Sequence, residues 1–267
     1  MAPDEVVTMS EILTSRSESI LLLQLNRPAR KNAMTSSMYT TLADLLNDAA
    51  KDEEVRVVLF YGAGDSFTAG NDLEDFLKNP PKPGESPQER FVAALMNFEK
   101  PLIAAVHGAT VGSGTTMLTH CDFVYAAETT RFQMPFVNLA VVPELGSSYS
   151  IPAAIGYIPA AELLLLGIPF NARRAAELGL VTRVVPEDRV LPTAMETATA
   201  LAEKPAVALQ ATKRLLKRWS RGETAAAVMV ETQEFGVRVR SDEAREAINA
   251  FLEKRRPDFV KTKTGTR

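Results

Sequence analysis

The sequence is poor in cysteine and histidine, the residues that form disulfides and most transition-metal sites. Its 267 residues contain one cysteine, Cys121, and two histidines, His107 and His120. A single cysteine excludes an intrachain disulfide. Two histidines cannot make an all-histidine metal site, and no cysteine and histidine have the spacing of zinc ligands. We therefore expect a protein without disulfides and without a bound metal.

An excess of positive charge, long apolar runs and targeting segments are also missing. Lysines and arginines number 30 against 33 aspartates and glutamates, so the net charge of −3 gives no chain-wide basic field for nucleic acid, although a local basic patch stays open. No run of about 18 apolar residues suits a membrane span. The first residues, MAPDEVVTMSEIL, do not have the order of a signal or transit peptide, and the last, TKTGTR, are not a peroxisomal signal. We expect a cytoplasmic protein with no nucleic-acid or membrane partner.

Two widespread catalytic motifs are absent as well. The chain has no G-x-x-x-x-G-K-[ST] phosphate-binding loop. Ser113 lies between Gly112 and Gly114, but a nucleophile elbow needs a glycine two residues before the serine, where this chain has Val111. Ser113 is therefore interpreted as a small residue at the start of a helix.

What the sequence does contain is an alternation of apolar runs and helical spacing over the first 185 residues. The predicted elements are, in order, strand 20–25, helix 35–51, strand 55–61, helix 88–99, strand 102–106 and strand 121–126. Four prolines within 79–87 predict an exposed loop. The alternation favours an α/β fold with partly parallel strands.

The pattern changes from Pro192 onward. Beyond it, helical spacing continues without a strand, at 192–203, 205–219, 223–239 and 242–256. Helices with apolar faces but no sheet of their own pack on the core or on another subunit. We therefore divide the chain into an α/β core, 1–195, and a helical oligomerisation region, 196–267.

Three short segments carry residues suited to chemistry. The turns TAGND at 68–72 and VGSGT at 111–115 each follow a strand and open a helix, where unpaired main-chain N–H groups can bind an anion or a developing oxyanion. Taken singly, each is also an ordinary glycine turn. The third segment contains Pro143 and Glu144. It is equally typical of a helix start, because proline fits the first turn and an acid suits the helix dipole.

As an ordered set, these segments resemble the crotonase superfamily, the enoyl-CoA hydratase/isomerase family, over nearly the whole chain. The resemblance is carried by LNRP at 25–28, KNA at 31–33, FTAGNDL at 67–73, AAVHG at 104–108, GSG at 112–114, CD at 121–122, GLV at 179–181, KP at 204–205 and FLEKR at 251–255. It implies an α/β spiral of ββα turns with a C-terminal helical trimerisation region. A homotrimer or a dimer of trimers is therefore expected.

The resemblance also implies an acyl-CoA ligand, whose coenzyme A is part of the substrate and not a separate cofactor. Carried over by position, the main-chain N–H groups of Ala69 and Ser113 are expected to bind the thioester oxygen. The residues expected to bind acyl-CoA are Lys31, Asn32, Ala33, Thr68, Ala69, Gly70, Asn71, Asp72, Leu73, Gly112 and Ser113.

Within the family, the catalytic carboxylates distinguish the reactions. Hydratases use two glutamates to activate water and deliver a proton, and here those positions hold Thr116 and Phe136. Glu144 with its neighbours PELGSSY is similar to the segment that carries the catalytic base of peroxisomal-type Δ3,Δ2-enoyl-CoA isomerases. One carboxylate that reaches both C2 and C4 can move a double bond, so we expect an isomerase with Glu144 as its base. Leu145 departs from the glycine often found there.

Two alternatives stay open. One is an enoyl-CoA hydratase or another crotonase-type reaction that proceeds through an enolate. The other is a non-catalytic acyl-CoA-binding protein, because folds of this kind also carry members that have lost their chemistry. Glu144 discriminates between binding and catalysis, since a protein that only binds has no need of a carboxylate opposite the two turns.

Overall fold

The computed structural model describes residues 10–80, 84 and 86–260. These residues form two sheets of order β1-β2-β3-β5-β7-β10 and β4-β6-β8-β9. The strands are β1 (Ile12–Ser17), β2 (Ile20–Leu25), β3 (Val57–Gly62), β4 (Ser66–Thr68), β5 (Leu102–Val106), β6 (Ala109–Val111), β7 (Phe123–Ala127), β8 (Arg131–Gln133), β9 (Phe170–Asn171) and β10 (Arg183–Val185).

Helices follow the strands in a repeating order. They are α1 (Ser36–Lys51), α2 (Leu73–Lys78), α3 (Pro87–Asn97), α4 (Ser113–Thr116), α5 (Ser147–Ile155), α6 (Tyr157–Leu166), α7 (Ala172–Glu177), α8 (Val190–Ala202), α9 (Ala206–Lys217), α10 (Arg221–Arg238) and α11 (Asp242–Leu252). From β3 to β8, each longer strand joins the first sheet and the next, shorter strand joins the second. Strands β3, β5 and β7 pair in parallel, as do β4, β6 and β8. This ββα repeat confirms the expected α/β spiral.

The larger sheet is buried on both faces. Along β2, Leu21 and Leu23 join the main core, whereas Ile20 and Leu22 join a second apolar cluster on the opposite face. Helix α8 covers that second face with Ala194 and its neighbours. Strands buried on both sides read as continuous apolar runs, and this is why the sequence predicts them well.

The predicted strands 20–25 and 102–106 are confirmed to the residue. Helix α1 begins just after Thr35, whose side chain accepts a hydrogen bond from Met38 N and so caps the helix. Strand β1 was not predicted, because five of its six residues are exposed and it pairs only with β2. Part of the proline-rich loop, 81–83 and 85, lies outside the described residues.

The C-terminal helices pack on the α/β core. Helix α8 contacts β3, β5 and β7, and α10 contacts α5. The boundary near residue 195 therefore lies inside a helix that covers the sheet. Among the helices that the structure describes, none has the length and apolar character that crossing a membrane requires. Within the same described residues, no three histidine, cysteine, aspartate or glutamate side chains group as metal ligands would.

Candidate active site

The turn after β4 is shaped from behind by two buried polar side chains. The Asn32 amide donates to the main-chain oxygens of Ala63 at 2.8 Å and Ser66 at 2.7 Å. The Thr68 hydroxyl donates to Asn32 O at 2.7 Å and accepts from the Gly70 N–H at 3.0 Å. Both side chains are fully buried. Asn32 and Thr68, predicted to bind the ligand, therefore hold the turn in shape, and neither is among the residues that line the large cavity described below.

The turns at 68–72 and 111–115 lie against each other. A Cβ atom on Gly70 would come within 2.6 Å of Val111 O, and Gly70 has a φ of +86°. A Cβ atom on Gly114 would come within 2.4 Å of Thr68 Cγ2. Neither position has room for a side chain, so the glycines allow the two turns to meet.

The main-chain donors of the first turn differ from the expectation. The Ala69 N–H donates to Lys31 O at 2.8 Å, so it is already used. Asn71 forms an isolated parallel bridge with Met34, whose own N–H and C=O bind the residues on either side of Asn71. The Asn71 N–H therefore points away from Met34, and no acceptor for it occurs among the described residues. The free donor of this turn belongs to Asn71, and the expectation for Ala69 is corrected.

The second turn offers the N–H of Ser113. Ser113 is the first residue of α4, so its N–H has no acceptor within the helix. Gly112 precedes it with a φ of +56° and gives no side-chain cap. The Ser113 side chain is fully buried, and its hydroxyl lies 2.7 Å from the Tyr39 hydroxyl. In the part of the chain that the structure describes, neither the Asn71 N–H nor the Ser113 N–H has an acceptor, so the adjoining turns offer two main-chain donors.

Glu144 lies beside the first turn and is 8% exposed. The Asn71 side-chain nitrogen donates to both carboxylate oxygens, at 3.0 Å and 3.2 Å. Burial raises the pKa of the Glu144 carboxyl to about 8, because the charged form loses its hydration. The Asn71 hydrogen bond lowers this pKa, and the negative charge of Glu231 raises it. A carboxyl with such a pKa can both take up and release a proton near neutral pH.

The segment after Glu144 is held in an uncommon conformation. Leu145 has a φ of +59° and Gly146 a φ of +75°, both in the left-handed region. Leu145 therefore adopts there a conformation that glycine adopts more easily. Burial lowers the pKa of His120 to about 4, so its ring is neutral, and its Nε2–H donates to Leu145 O at 2.8 Å.

A second buried glutamate fixes the same segment from α10. Glu231 is 6% exposed and accepts the main-chain N–H groups of Gly146 at 2.6 Å and Ser148 at 2.7 Å. These donors belong to the start of α5, directly after Glu144. Glu231 therefore ties α10 to the turn that positions Glu144.

A large cavity of about 750 Å³ opens beside the two turns. Predicted binding residues that line it are Lys31, Ala33, Ala69, Gly70, Asn71, Asp72, Leu73 and Gly112. Its apolar wall comes from Phe76, Phe136, Leu139, Val141, Phe235 and Ile248. Lys31 also lines it and supplies positive charge, whereas Arg30 and Arg255 in the same wall are ion-paired with Glu74 and Glu246. The cavity thus combines a cationic part with an apolar part.

Glu144 itself lines a smaller adjoining cavity of about 40 Å³. Phe76 and Phe235 border both cavities, and their rings meet edge to face at 5.8 Å between centroids. Asn71 stands in the wall of the large cavity and holds the Glu144 carboxylate. The carboxylate therefore lies next to the large cavity, and Asn71, Phe76 and Phe235 connect its surroundings with that cavity.

The positions of the missing hydratase carboxylates are apolar or closed. Thr116 is fully buried in α4, and Phe136 is buried in the wall of the large cavity. The carboxylates that do line this cavity are engaged: Asp72 pairs with Arg27 at 3.0 Å, and Glu74 with Arg30 at 2.7 Å.

Two residues of the site were missed by the sequence analysis, Tyr39 and Glu231. Tyr39 lies on the apolar face of α1, where an aromatic side chain is typical of a core position. Glu231 lies within a long polar helix, where a glutamate is typical of an exposed face. Only the tertiary contacts distinguish them from such residues.

Comparison with known proteins identifies the family of the chain. The family model for enoyl-CoA hydratase/isomerase matches residues 15–262. The chain is 35% identical to 2,3-dehydroadipyl-CoA hydratase of Escherichia coli K12, covering 94% of this chain and 99% of that protein. It is 34% identical to enoyl-CoA delta isomerase 2 of Rattus norvegicus, covering 90% of this chain and 63% of that protein.

Solved structures show the same fold. OdaA of Pseudomonas aeruginosa is similar with a TM-score of 0.89 and 42% identity, over 91% of this chain and 99% of that one. Relatives with hydratase names and relatives with isomerase names both occur. The matched length, the two adjoining glycine turns and the ββα spiral agree, and the chain belongs to the enoyl-CoA hydratase/isomerase family of the crotonase superfamily.

Proposed function

We propose that the protein is a Δ3,Δ2-enoyl-CoA isomerase that uses Glu144 as its base. The observation that carries the proposal is the surroundings of Glu144: its carboxylate lies beside the donor turns and is bound by an amide, not by a cation as Asp72 is, whereas Thr116 and Phe136 stand where hydratases have glutamates. Hydration needs an activated water and a proton donor. A 1,3-proton shift needs one carboxylate and a stabilised enolate.

The two free N–H groups supply the enolate stabilisation. The thioester oxygen accepts from the N–H groups of Asn71 and Ser113, which are fixed by main chain and need no rearrangement during the reaction. Each such donor typically contributes about 3–4 kcal/mol to the transition state. With the negative charge held there, Glu144 removes a proton from C2 and returns one to C4.

The pKa of Glu144 suits both halves of this shift. A carboxyl of pKa about 8 is a stronger base than an exposed glutamate, and in its protonated form it is still acidic enough to give the proton back. The acyl chain lies against the apolar wall and meets Glu144 beside Phe76 and Phe235, which border both cavities. The phosphates of coenzyme A meet the positive charge of Lys31.

The experiment is incubation of the pure protein with 3-enoyl-CoA and 2-enoyl-CoA of several chain lengths. Ultraviolet absorbance follows conjugation with the thioester, and mass spectrometry follows addition of water. We expect fast conversion of 3-enoyl-CoA to 2-enoyl-CoA and far slower hydration. Robust formation of 3-hydroxyacyl-CoA would favour the hydratase alternative, for which the name of the E. coli relative is the supporting observation. Binding without any turnover would favour the non-catalytic alternative.

Self-association completes the proposal. Large apolar side chains are exposed on three helices, with Ile158 on α6 82% exposed, Val207 on α9 80% exposed and Met229 on α10 66% exposed. Apolar surface of this extent is typical of a subunit interface. A homotrimer or a dimer of trimers accounts for it, and sedimentation that shows a stable monomer at micromolar concentration would contradict this.

A further inference from the structure

Tyr39 links the two donor turns to the base, although the proposed chemistry does not use it. It lies on α1, is fully buried, and packs its ring against Phe91 with 5.6 Å between centroids. Its hydroxyl lies 2.5 Å from Asn71 Oδ1 and 2.7 Å from Ser113 Oγ. One hydroxyl thus contacts a side chain from each turn.

The donors along this chain of hydrogen bonds can be assigned. The Asn71 nitrogen faces the Glu144 carboxylate, so Asn71 Oδ1 faces Tyr39 and accepts. Burial, and then the nearby charge of Glu144, raise the pKa of the Tyr39 hydroxyl well above its usual value, so it keeps its proton. Tyr39 therefore donates to Asn71, and its oxygen accepts from the Ser113 hydroxyl.

The opposite direction is less favourable. If the Asn71 amide turned over, its oxygen would face Glu144 and its nitrogen would face Tyr39. Tyr39 would then donate to Ser113, and the Ser113 proton would have no acceptor among the described residues. The buried Ser113 hydroxyl therefore favours the direction that points the amide nitrogen at Glu144.

We propose that Tyr39 is a positioning residue: its hydroxyl, oriented by Ser113, fixes the Asn71 amide so that its nitrogen faces the Glu144 carboxylate. The proposal rests on the role of Glu144 in the proposed function. An amide turned the other way would present an oxygen to the carboxylate and would stabilise its protonated, inactive form. Tyr39 thus keeps Glu144 ready to accept a proton.

The other charged groups around Glu144 are held by contacts that do not involve Tyr39. Glu231 faces it from α10 and is bound by two main-chain N–H groups. From α3, Glu89 shares the smaller cavity and is bound to Ser86, and at the start of α2 Asp72 is paired with Arg27. None of these contacts involves Tyr39, so a change at Tyr39 acts on Glu144 through Asn71.

The test is the variant Tyr39→Phe, which keeps the ring against Phe91 and removes only the hydroxyl. We expect kcat to fall about tenfold with KM little changed, and the acid limb of the pH profile to move up by as much as about one unit, which is the equivalent of a tenfold change in proton affinity. Tyr125→Phe is the matched control. Its hydroxyl bonds Thr197 at 2.6 Å, within the second apolar cluster on the far face of the larger sheet, and we expect its loss to move neither quantity.

A direct titration separates this proposal from the proposed function. Infrared spectroscopy of the ligand-free protein follows the carboxyl band that is absent from Glu144→Gln, and its midpoint should be higher in Tyr39→Phe than in the wild type. An unchanged midpoint overturns the positioning role, as does a loss of kcat with an unchanged pH profile. If the wild type did not isomerise 3-enoyl-CoA, the proposed function would fail, while the infrared midpoint would still decide the role of Tyr39.

Discussion

Glu144 and Glu231 face the same small cavity, yet their surroundings suit different tasks. Glu231 accepts two main-chain N–H groups at 2.6 Å and 2.7 Å, and these donors cannot turn away. Glu144 is bound by one side-chain amide, at 3.0 Å and 3.2 Å from its two oxygens. Burial raises the pKa of both carboxyls.

The two buried carboxylates therefore differ in the hydrogen-bond donors that bind them. Fixed main-chain donors bind each oxygen of Glu231 and stabilise its charge, so it serves as a support for the start of α5. Glu144 is bound only by one side-chain amide among the described residues, so no main-chain donor occupies the lone pairs that the proposed proton transfer needs. The kind of donor, and not burial, distinguishes the proposed base from the supporting glutamate, because burial raises the pKa of both.

We expect the largest effect from Glu144→Gln, which removes the carboxylate that we propose as the base. Glutamine keeps the size of the side chain and removes the base, so kcat should fall by about 10²–10⁴-fold while substrate still binds. Steady-state kinetics with 3-enoyl-CoA measure this. A variant that kept more than a tenth of the wild-type kcat would show that Glu144 is not the base.

Glu231→Gln tests whether the charge of Glu231 supports the start of α5. The glutamine amide can accept only one of the two main-chain N–H groups, and its NH₂ group faces the other. An unpaired buried donor lowers the free energy of unfolding by about 1–3 kcal/mol. We expect a melting temperature lower by a few degrees, measured by calorimetry. Because the charge of Glu231 raises the pKa of Glu144, its removal should also move the acid limb of the pH profile down.

That shift is opposite in sign to the one expected for Tyr39→Phe. An acid limb that moved up, or an unchanged melting temperature, would contradict the assignment of Glu231 as a charged support. Glu99→Gln is a suitable control, since Glu99 forms a partly exposed pair with Arg214 and such pairs contribute little.

The pH profile of the wild-type enzyme tests the raised pKa of Glu144 without any mutation. Glu144 must be ionised to take a proton, and its pKa is about 8. Below that pH the ionised fraction falls tenfold per unit, so kcat/KM for the free enzyme should fall with the same slope. A profile that stayed flat between pH 6 and 8 would show that Glu144 titrates like an exposed glutamate.

The strands and the glycine turns could be predicted from the sequence because their signals are local. Buried parallel strands such as β2 and β5 are continuous apolar runs, and the turns are marked by Gly70 and Gly114. The donor at Asn71 could not be found by position alone. Which N–H faces the cavity depends on the bridge to Met34, a contact between distant parts of the chain.

The residues around Glu144 are likewise brought together from distant parts of the chain. Asn71 lies 73 residues before it, and the contact of Tyr39 with Ser113 spans 74 residues. Helical or strand periodicity places Tyr39 in a core and Glu231 on a surface. The sequence therefore points to Glu144, the base that we propose, whereas the groups around it become visible only in the folded chain.

The smallest expected effect is that of Ser113→Ala. It keeps the main-chain N–H assigned to the enolate and removes only the hydroxyl that orients Tyr39, which can still donate to Asn71. Activity should therefore fall less than about fivefold, given that losing an oxyanion donor costs about 10²-fold or more. Ser113→Pro removes the N–H itself and should cost at least that much, with circular dichroism and sedimentation to show that the variant is folded and assembled. If Ser113→Ala were as damaging as Ser113→Pro in a folded protein, the Ser113 hydroxyl would take part in the proton transfer. Glu144 would then not be the only side chain that carries out this transfer.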